Sequence, residues 1–180
     1  MQFLQTTIPG VIRIELEPKA DARGYFARTW CDREAAAAGL RTPMVQHSIA
    51  FNAVKGTLRG LHYQVPLLQA RVMRCIAGAA FVAAVDLRRS SPTYLQALSL
   101  VLDAVQHSAL YIPPGVAAGY QTLADQTVIA YLMAEFYDPH TERGVRWNDP
   151  AFGITWPDAQ PTILARDAQY PDFDPDGALE

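Results

Sequence analysis

Basic charge, cysteine and long apolar runs are all scarce in this sequence. Fifteen Lys and Arg against eighteen Asp and Glu among 180 residues give a net charge of -3 and a pI near 5.8, so no broad basic surface is available for nucleic acid. No apolar run approaches the roughly 20 residues that a membrane-spanning helix needs, and the first residues carry no charged segment ahead of a hydrophobic one. We therefore expect a cytoplasmic protein with neither a nucleic-acid nor a membrane partner.

The two cysteines, Cys31 and Cys75, have no metal-type spacing and lie in different kinds of local sequence. This predicts reduced thiols and no disulfide. Hydrophobic residues make up 50% of the chain, which is enough for one sizeable core. We expect a single domain over residues 1–180, with a core that is complete in one chain or is completed by a second copy.

Short strand patterns dominate the chain. Alternating apolar residues from Ile8 to Leu16 predict a half-buried strand, and an aromatic strand is predicted near Tyr25. One helix is predicted after an Asp32 cap, ending at Gly39. Seven further strands, separated by Gly, Pro, Ser and Asp turn residues, are predicted at 44–51, 56–64, 71–76, 79–87, 97–102, 108–112 and 127–137.

Two further segments show no such pattern. Residues 114–120 read as a turn, and the Pro- and Asp-rich stretch 147–173 as an ordered loop that wraps over the rest. Many short strands at even spacing with one small helix predict an all-β sandwich or barrel.

The sequence around His62 combines reactive and cationic side chains. RGLHYQ at 59–64 is followed by Gln69, Arg71 and Arg74, so an imidazole that titrates near neutral pH lies close in sequence to guanidinium groups that stay charged. The stretch indicates a reacting centre beside an anion site. A single His in a strand is more often structural than catalytic, so the stretch alone leaves both interpretations open.

Longer motifs follow one another along the whole chain. They are ARGYF at 22–26, GTLRGLHYQVP at 56–66, QAR at 69–71, VDLRRSSPTY at 85–94, YIPPG at 111–115, EFYDP at 135–139, ERGVRWNDP at 142–150, WPD at 156–158 and RDAQYPDF at 166–173. Together they resemble the dTDP-4-dehydrorhamnose 3,5-epimerase family, in order and over nearly the full length.

This resemblance implies an all-β cupin or jelly-roll barrel with one or two short helices and a long ordered C-terminal tail. It also implies a homodimer with exchanged strands, and no cofactor. Related barrels often hold a metal through two or three His and a carboxylate. Here the position two after His62 is Gln64, and His47, His107 and His140 stand alone, so no metal site is expected.

The activity that the resemblance implies is inversion of carbons 3 and 5 of a nucleotide-diphosphate 4-keto-6-deoxy hexose, by proton removal beside the keto group and reprotonation on the opposite face. His62 matches the base, Asp167 the carboxylate that orients it, and Tyr131 the acid. Arg71 stands where the family commonly has a lysine that stabilises the enolate oxygen, and Ala118 where it commonly has a histidine. These two departures bear on which sugar is used and on whether one centre or two are inverted.

Further residues are predicted to bind the substrate. Arg59 and Arg23 match positions that hold the diphosphate or its surroundings, where guanidinium groups pair well with phosphate oxygens. Tyr137 lies six residues after Tyr131, an even spacing that would point both rings to one side of a regular strand. The candidates for base stacking and sugar hydrogen bonds are Phe26, Gln46 and Asn52.

Three alternatives remain open from the sequence. The first is a single-centre epimerase, at carbon 3 or carbon 5, of a related dTDP-, GDP- or CDP-linked 4-keto sugar. The second is a non-catalytic sugar-nucleotide-binding cupin, and the third a metal-dependent cupin dioxygenase. The presence of His62, Asp167 and Tyr131 together favours an enzyme, since a protein that only binds has no need of all three.

Overall fold

Two antiparallel β-sheets carry most of the chain. The structure is a computed structural model that describes residues 1–65 and 69–175. The strands are β1 (Gln2–Gln5), β2 (Ile12–Glu15), β3 (Lys19–Asp21), β4 (Gly24–Phe26), β5 (Gln46–Asn52), β6 (Thr57–Gln64), β7 (Arg71–Ala77), β8 (Ala79–Asp86), β9 (Ala97–Asp103), β10 (Ala109–Ile112), β11 (Val116–Thr122), β12 (Thr127–Met133), β13 (Glu142–Gly144) and β14 (Thr162–Ile163). The helices are α1 (Asp32–Ala37) and α2 (Ala165–Ala168), with a 3-10 turn at Pro150–Phe152.

One sheet has the strand order β1-β2-β10-β7-β12-β5, and the other β13-β6-β11-β8-β9, with β14 joined in parallel to β6. The main core lies between the sheets, because its buried cluster takes Met73 and Ile129 from the first and Val82 and Tyr120 from the second. The predicted all-β jelly-roll barrel is confirmed. Strands β3 and β4 form a separate hairpin.

The seven strands predicted after residue 43 are all present as β5 to β10 and β12, most of them within two residues of the predicted ends. The exception is the last, which was expected to reach Tyr137 but ends at Met133. Strand β11 occupies the segment that the sequence analysis interpreted as a turn. It lies between β6 and β8 with all seven residues buried, and a strand covered on both faces shows no alternation of polar and apolar residues.

Gly60 and Gly119 allow β6 and β11 to approach each other closely. A Cβ atom on Gly60 would lie 2.6 Å from the Gly119 Cα atom, and the φ angle of Gly60 is +125°. The register of the two strands shifts between Ala118 and Tyr120. Such an irregularity redirects side chains. Arg59 and His62, three positions apart, would point to opposite faces of a regular strand, yet both line one cavity.

The helices and the tail differ in detail from the predictions. Cys31 occupies the N-cap of α1 and provides no side-chain cap, whereas Asp32, the predicted cap, accepts hydrogen bonds from Trp30 Nε1 and the Met44 backbone N–H. The tail is ordered, and it includes β14 and α2 besides loop. Cys31 and Cys75 are free thiols, as predicted. None of the helices among the described residues has the length and apolarity to cross a membrane.

Asp86 organises the turn after β8. It is fully buried, and its carboxylate accepts hydrogen bonds from the backbone N–H and the guanidinium of Arg88 and from the hydroxyls of Ser91 and Thr93. Burial alone would raise the pKa of Asp86, but these donors outweigh it and hold the pKa at about 2. The ionised carboxylate therefore stabilises the folded state.

We expect Asp86→Asn to lower the free energy of unfolding at neutral pH by about 2 kcal/mol. The folded pKa lies below the ordinary value of 3.8, so this stabilisation is present above about pH 4 and is lost as the pH falls through about 2. Urea unfolding of both proteins across this range should show the difference shrinking at the acid end. The control is Asp125→Asn, at a carboxylate that accepts one hydrogen bond, from the backbone N–H of Lys55. It should lower the free energy of unfolding by less than Asp86→Asn does. If wild type and Asp86→Asn differ by the same free energy of unfolding at every pH, the stabilisation does not come from ionised Asp86.

Candidate active site

A cavity of about 250 Å³ opens beside β6, β7, β11 and β12. Its lining combines cationic, acidic and phenolic side chains with small apolar ones. The charged, imidazole and phenolic residues that line it are Arg59, His62, Tyr63, Arg71, Tyr120, Tyr131, Tyr137, Glu142 and Arg166.

His62 on β6 and Asp167 on α2 form the central pair. The His62 Nε2 atom lies 3.0 Å from Asp167 Oδ1, and Asp167 is only 2% exposed. Because an ionised carboxylate only accepts hydrogen bonds, Nε2 carries a proton, and Nδ1 is the basic nitrogen of the neutral ring. The two residues are therefore arranged as a base and its orienting carboxylate.

Asp167 is ionised although it is buried. Burial alone would raise its pKa, but the hydrogen bond and charge of His62, the Gly60 backbone N–H at 3.1 Å and the Arg166 Nε atom at 3.0 Å hold the pKa at about 2. An ionised Asp167 stabilises the imidazolium that forms when Nδ1 takes a proton.

Arg71 on β7 places a buried positive charge in the cavity wall. Its Nη2 atom donates to the carbonyl oxygen of His62 at 2.5 Å and to that of Ala118 at 3.4 Å. Burial lowers the pKa of Arg71, whereas Tyr131 and Glu142 raise it. A guanidinium still keeps its proton at neutral pH. Negative charge that develops in the cavity would therefore meet a fixed cation.

Tyr131 on β12 faces the same cavity. Burial and the neighbouring Tyr120 raise the pKa of Tyr131 well above its usual range, against a lowering effect of Arg71 and Arg59. The hydroxyl is therefore protonated at neutral pH. A neutral phenol in this position can donate a proton to a bound molecule.

Tyr137 reaches the cavity from a loop, and the predicted shared strand with Tyr131 is wrong because β12 ends at Met133. The Tyr137 hydroxyl donates to Glu142 Oε2 at 3.3 Å, and its backbone N–H donates to Gln46 Oε1 at 3.0 Å. Gln46 thus holds the loop that carries Tyr137 and does not itself line the cavity.

The other predicted binding residues divide into two groups. Arg59 lines the cavity, whereas Asn52 lies behind the wall, 2% exposed, and accepts a hydrogen bond from Arg59 Nε at 2.9 Å. Arg23 and Phe26 lie on the hairpin of β3 and β4, outside the cavity lining. Phe26 is 75% exposed, and Arg23 forms an ion pair with Asp21. A single chain does not bring these two residues to the site.

Two charged residues that line the cavity, Glu142 and Arg166, were not predicted from the sequence. Glu142 Oε1 lies 4.0 Å from His62 Nδ1, and Glu142 Oε2 pairs with Arg166 Nη1 at 3.1 Å. Both residues stand in quoted motifs, Glu142 opening ERGVRWNDP and Arg166 directly preceding Asp167. Glu142 approaches His62 through the pairing of β13 with β6, whereas Arg166 lies on α2, just after β14 pairs with β6. Local sequence reveals neither pairing.

Tyr170 seats α2 against the barrel. Its ring lies over Gly144 on β13, where a Cβ atom would collide with the ring atoms Cε2 and Cζ. The same ring meets His62 edge-on, with centroids 6.2 Å apart. Tyr170 follows Asp167 by three residues, so its contact with Gly144 adds to the hydrogen bonds from Gly60 and Arg166 that hold Asp167 beside His62.

This arrangement is chemically suited to proton transfer, because an imidazole such as His62 can take a proton, a neutral phenol such as Tyr131 can return one, and a fixed cation such as Arg71 can stabilise negative charge between the two steps. The fold and the site therefore define an acid–base enzyme built on a jelly-roll barrel. The family model of dTDP-4-dehydrorhamnose 3,5-epimerase matches residues 5–175. The chain belongs to this family, so it is an isomerase with a cupin fold.

Individual relatives agree with the family model. A dTDP-4-dehydrorhamnose 3,5-epimerase of Sinorhizobium fredii is 37% identical over 177 residues, covering 95% of this chain and 89% of the relative. A dTDP-4-dehydrorhamnose 3-epimerase of Streptomyces niveus is 38% identical, covering 93% and 81%. The crystal structure of the Bacillus anthracis 3,5-epimerase with TDP and PPi bound matches with a TM-score of 0.92 at 31% identity, covering 96% of this chain and 99% of that one. The predicted family, fold and epimerase activity are confirmed.

We expect Gly144→Ala to loosen the His62–Asp167 pair, because the added methyl group must displace the Tyr170 ring and with it α2. The measurement is nitrogen-15 NMR of the imidazole, in which wild-type His62 should show protonated Nε2 and the variant a mixture of tautomers. Tyr170→Phe keeps the ring on Gly144 and should give the wild-type signal. If His62 keeps its wild-type tautomer in Gly144→Ala, the packing of Tyr170 on Gly144 does not control the His62–Asp167 hydrogen bond.

Proposed function

We propose that this protein inverts carbons 3 and 5 of a dTDP-linked 4-keto-6-deoxy hexose. The observation that carries the proposal is one cavity lined by a base with a buried carboxylate, a neutral phenol and a fixed cation. The bound TDP and PPi of the Bacillus anthracis relative support a nucleotide-diphosphate substrate. Arg59 is the residue of this chain that would hold the diphosphate, since it lines the cavity with a guanidinium.

Both carbons flank the same keto group, so a single charge-stabilising group can serve both inversions. His62 Nδ1 removes the proton from the carbon beside the carbonyl, and the electron pair moves onto the carbonyl oxygen as an enolate. Arg71 stabilises this oxygen, and Asp167 stabilises the imidazolium. Tyr131 then delivers a proton to the opposite face of the carbon, and the carbonyl forms again.

Exchange of sugar protons in deuterated water tests this function. Proton NMR of dTDP-4-keto-6-deoxyglucose with the purified protein should show deuterium entering at carbons 3 and 5. His62→Ala should lower both exchange rates by about three orders of magnitude or more, because general-base catalysis is lost. His140→Ala, at an exposed histidine outside the cavity lining, is the matched control and should exchange at the wild-type rate.

Either of two results would change the conclusion. Exchange at one carbon alone in the wild-type protein would indicate a single-centre epimerase. Substantial exchange in His62→Ala would indicate that another group is the base.

We infer further that two copies of the chain associate as a homodimer with exchanged strands, in the cytoplasm. Strand β5 is the edge of its sheet and exposes Ile49 at 69% and Phe51 at 57%, a combination that favours coverage by another chain. A partner chain is also a source for Arg23 and Phe26, which one chain leaves away from its own cavity. The two free cysteines agree with a reducing compartment.

Sedimentation equilibrium should give a mass of twice the 19.8 kDa chain. Ile49→Asp should shift the protein toward the single-chain mass, because a carboxylate in an apolar interface is costly to desolvate. Val105→Asp, at an apolar residue that is 87% exposed in the turn after β9, introduces the same charge elsewhere and should leave the mass doubled. A wild-type mass of 19.8 kDa would exclude the dimer.

A further inference from the structure

Tyr120 and Asn52 are two buried polar side chains at the cavity wall that the reaction steps above do not use. Tyr120 on β11 is 1% exposed and Asn52 on β5 is 2% exposed. The Tyr120 hydroxyl donates to Asn52 Oδ1 at 3.1 Å, and Arg59 Nε donates to the same oxygen at 2.9 Å. Tyr131 packs against the buried cluster that contains Tyr120, and both side chains line the same cavity. Besides burial, the interaction between the two phenols raises the pKa of Tyr131 and lowers that of Tyr120.

The available donors fix the direction of these bonds. Asn52 Nδ2 donates to the carbonyl oxygens of Ala50, at 3.2 Å, and Thr127, at 3.0 Å, so Oδ1 is the atom that faces Tyr120. A hydroxyl has one hydrogen, and that of Tyr120 is directed to Asn52. The Tyr120 oxygen is therefore left as an acceptor for a neighbouring donor such as the Tyr131 hydroxyl.

We propose that Tyr120 is a positioning residue that stabilises Tyr131 after Tyr131 has given up its proton. This inference rests on the proposed function. When Tyr131 protonates the enolate carbon, its O–H bond breaks, a C–H bond forms, and the electron pair of the broken bond stays on the Tyr131 oxygen. The Tyr120 hydroxyl then turns its hydrogen from Asn52 to this phenolate. Water returns a proton to Tyr131 after the product has left.

The other groups in this hydrogen-bond network keep their partners when the Tyr120 hydroxyl rotates. Asn52 Oδ1 keeps the N–H of Arg59, so no buried acceptor is left without a donor. Asn52 itself does not move, because its amide nitrogen is held by two carbonyl oxygens. Only a side chain that both donates and accepts can change roles in this way, and a hydroxyl does so by rotating one hydrogen.

Tyr120→Phe tests this role, because it removes the hydroxyl and keeps the ring in the core. A hydrogen bond to a charged oxygen is lost only in the reprotonation step, so inversion should be on the order of 10- to 100-fold slower. Entry of deuterium without inversion should continue at the wild-type rate, since His62 can remove a proton and return a deuteron to the same face. Both rates come from one NMR experiment with dTDP-4-keto-6-deoxyglucose in deuterated water.

Combining Tyr120→Phe with Tyr131→Phe shows whether Tyr120 acts through Tyr131. If it does, the double variant should invert no more slowly than Tyr131→Phe alone. Tyr111→Phe is the matched control: this buried phenol lies outside the cavity and accepts a hydrogen bond from the Arg41 backbone N–H. It should invert the sugar at the wild-type rate.

Wild-type inversion in Tyr120→Phe, or an equal loss of inversion and deuterium entry, would overturn the inference, because a loosened cavity would slow both steps alike. A further loss in the double variant would also overturn it. Absence of both deuterium entry and inversion in the wild-type protein would overturn the proposed function, and this inference with it. If the wild-type protein inverts the sugar and Tyr120→Phe does so at the same rate, the proposed function stands and only the role of Tyr120 is overturned.

Discussion

The hydrogen bond between His62 and Asp167 is the contact on which the site depends, because it joins a barrel strand to the tail. The tail reaches that point in a fixed register, since β14 pairs in parallel with β6 through Thr162 and Thr57 just before α2 begins. The Gly60 N–H then binds the second oxygen of Asp167. The strand that carries His62 therefore also locates Asp167.

The same strand departs from regular geometry where the site is built. Close approach of Gly60 to Gly119 excludes side chains from both positions, and the accompanying register shift lets Arg59 and His62 line one cavity. A regular strand would have directed one of them away from it. The backbone irregularity thus places Arg59 and His62 on the same side of the sheet.

Local sequence predicted most strands because alternation and turn residues are local properties, but β11 carries neither signal between its two neighbours. The site residues likewise fall into those that local sequence indicates and those that depend on contacts between distant segments. His62 stood out by its neighbours along the chain, whereas Asp167 was identified only through the family resemblance. Glu142 reaches the site through the pairing of β13 with β6, and Arg166 through the tail, in which β14 pairs with β6 just before α2. Tyr131 and Tyr137 both line the cavity, as expected, but the expected shared strand was wrong because β12 ends at Met133, and an even spacing has meaning only within a continuous strand.

The charges of the cavity explain why Arg71 suits an enolate. Arg166 pairs with both Glu142 and Asp167, and the neutral His62 donates to Asp167, so these four groups together carry one net negative charge beside Arg71. Arg71 Nη2 donates to neutral carbonyl oxygens, which orient the guanidinium without cancelling its charge. A guanidinium has five N–H donors, so an anchored Arg71 has donors left for an oxyanion. The backbone carbonyl of Ala118 accepts a hydrogen bond from Arg71. The small side chain of Ala118 leaves the cavity open beside the guanidinium.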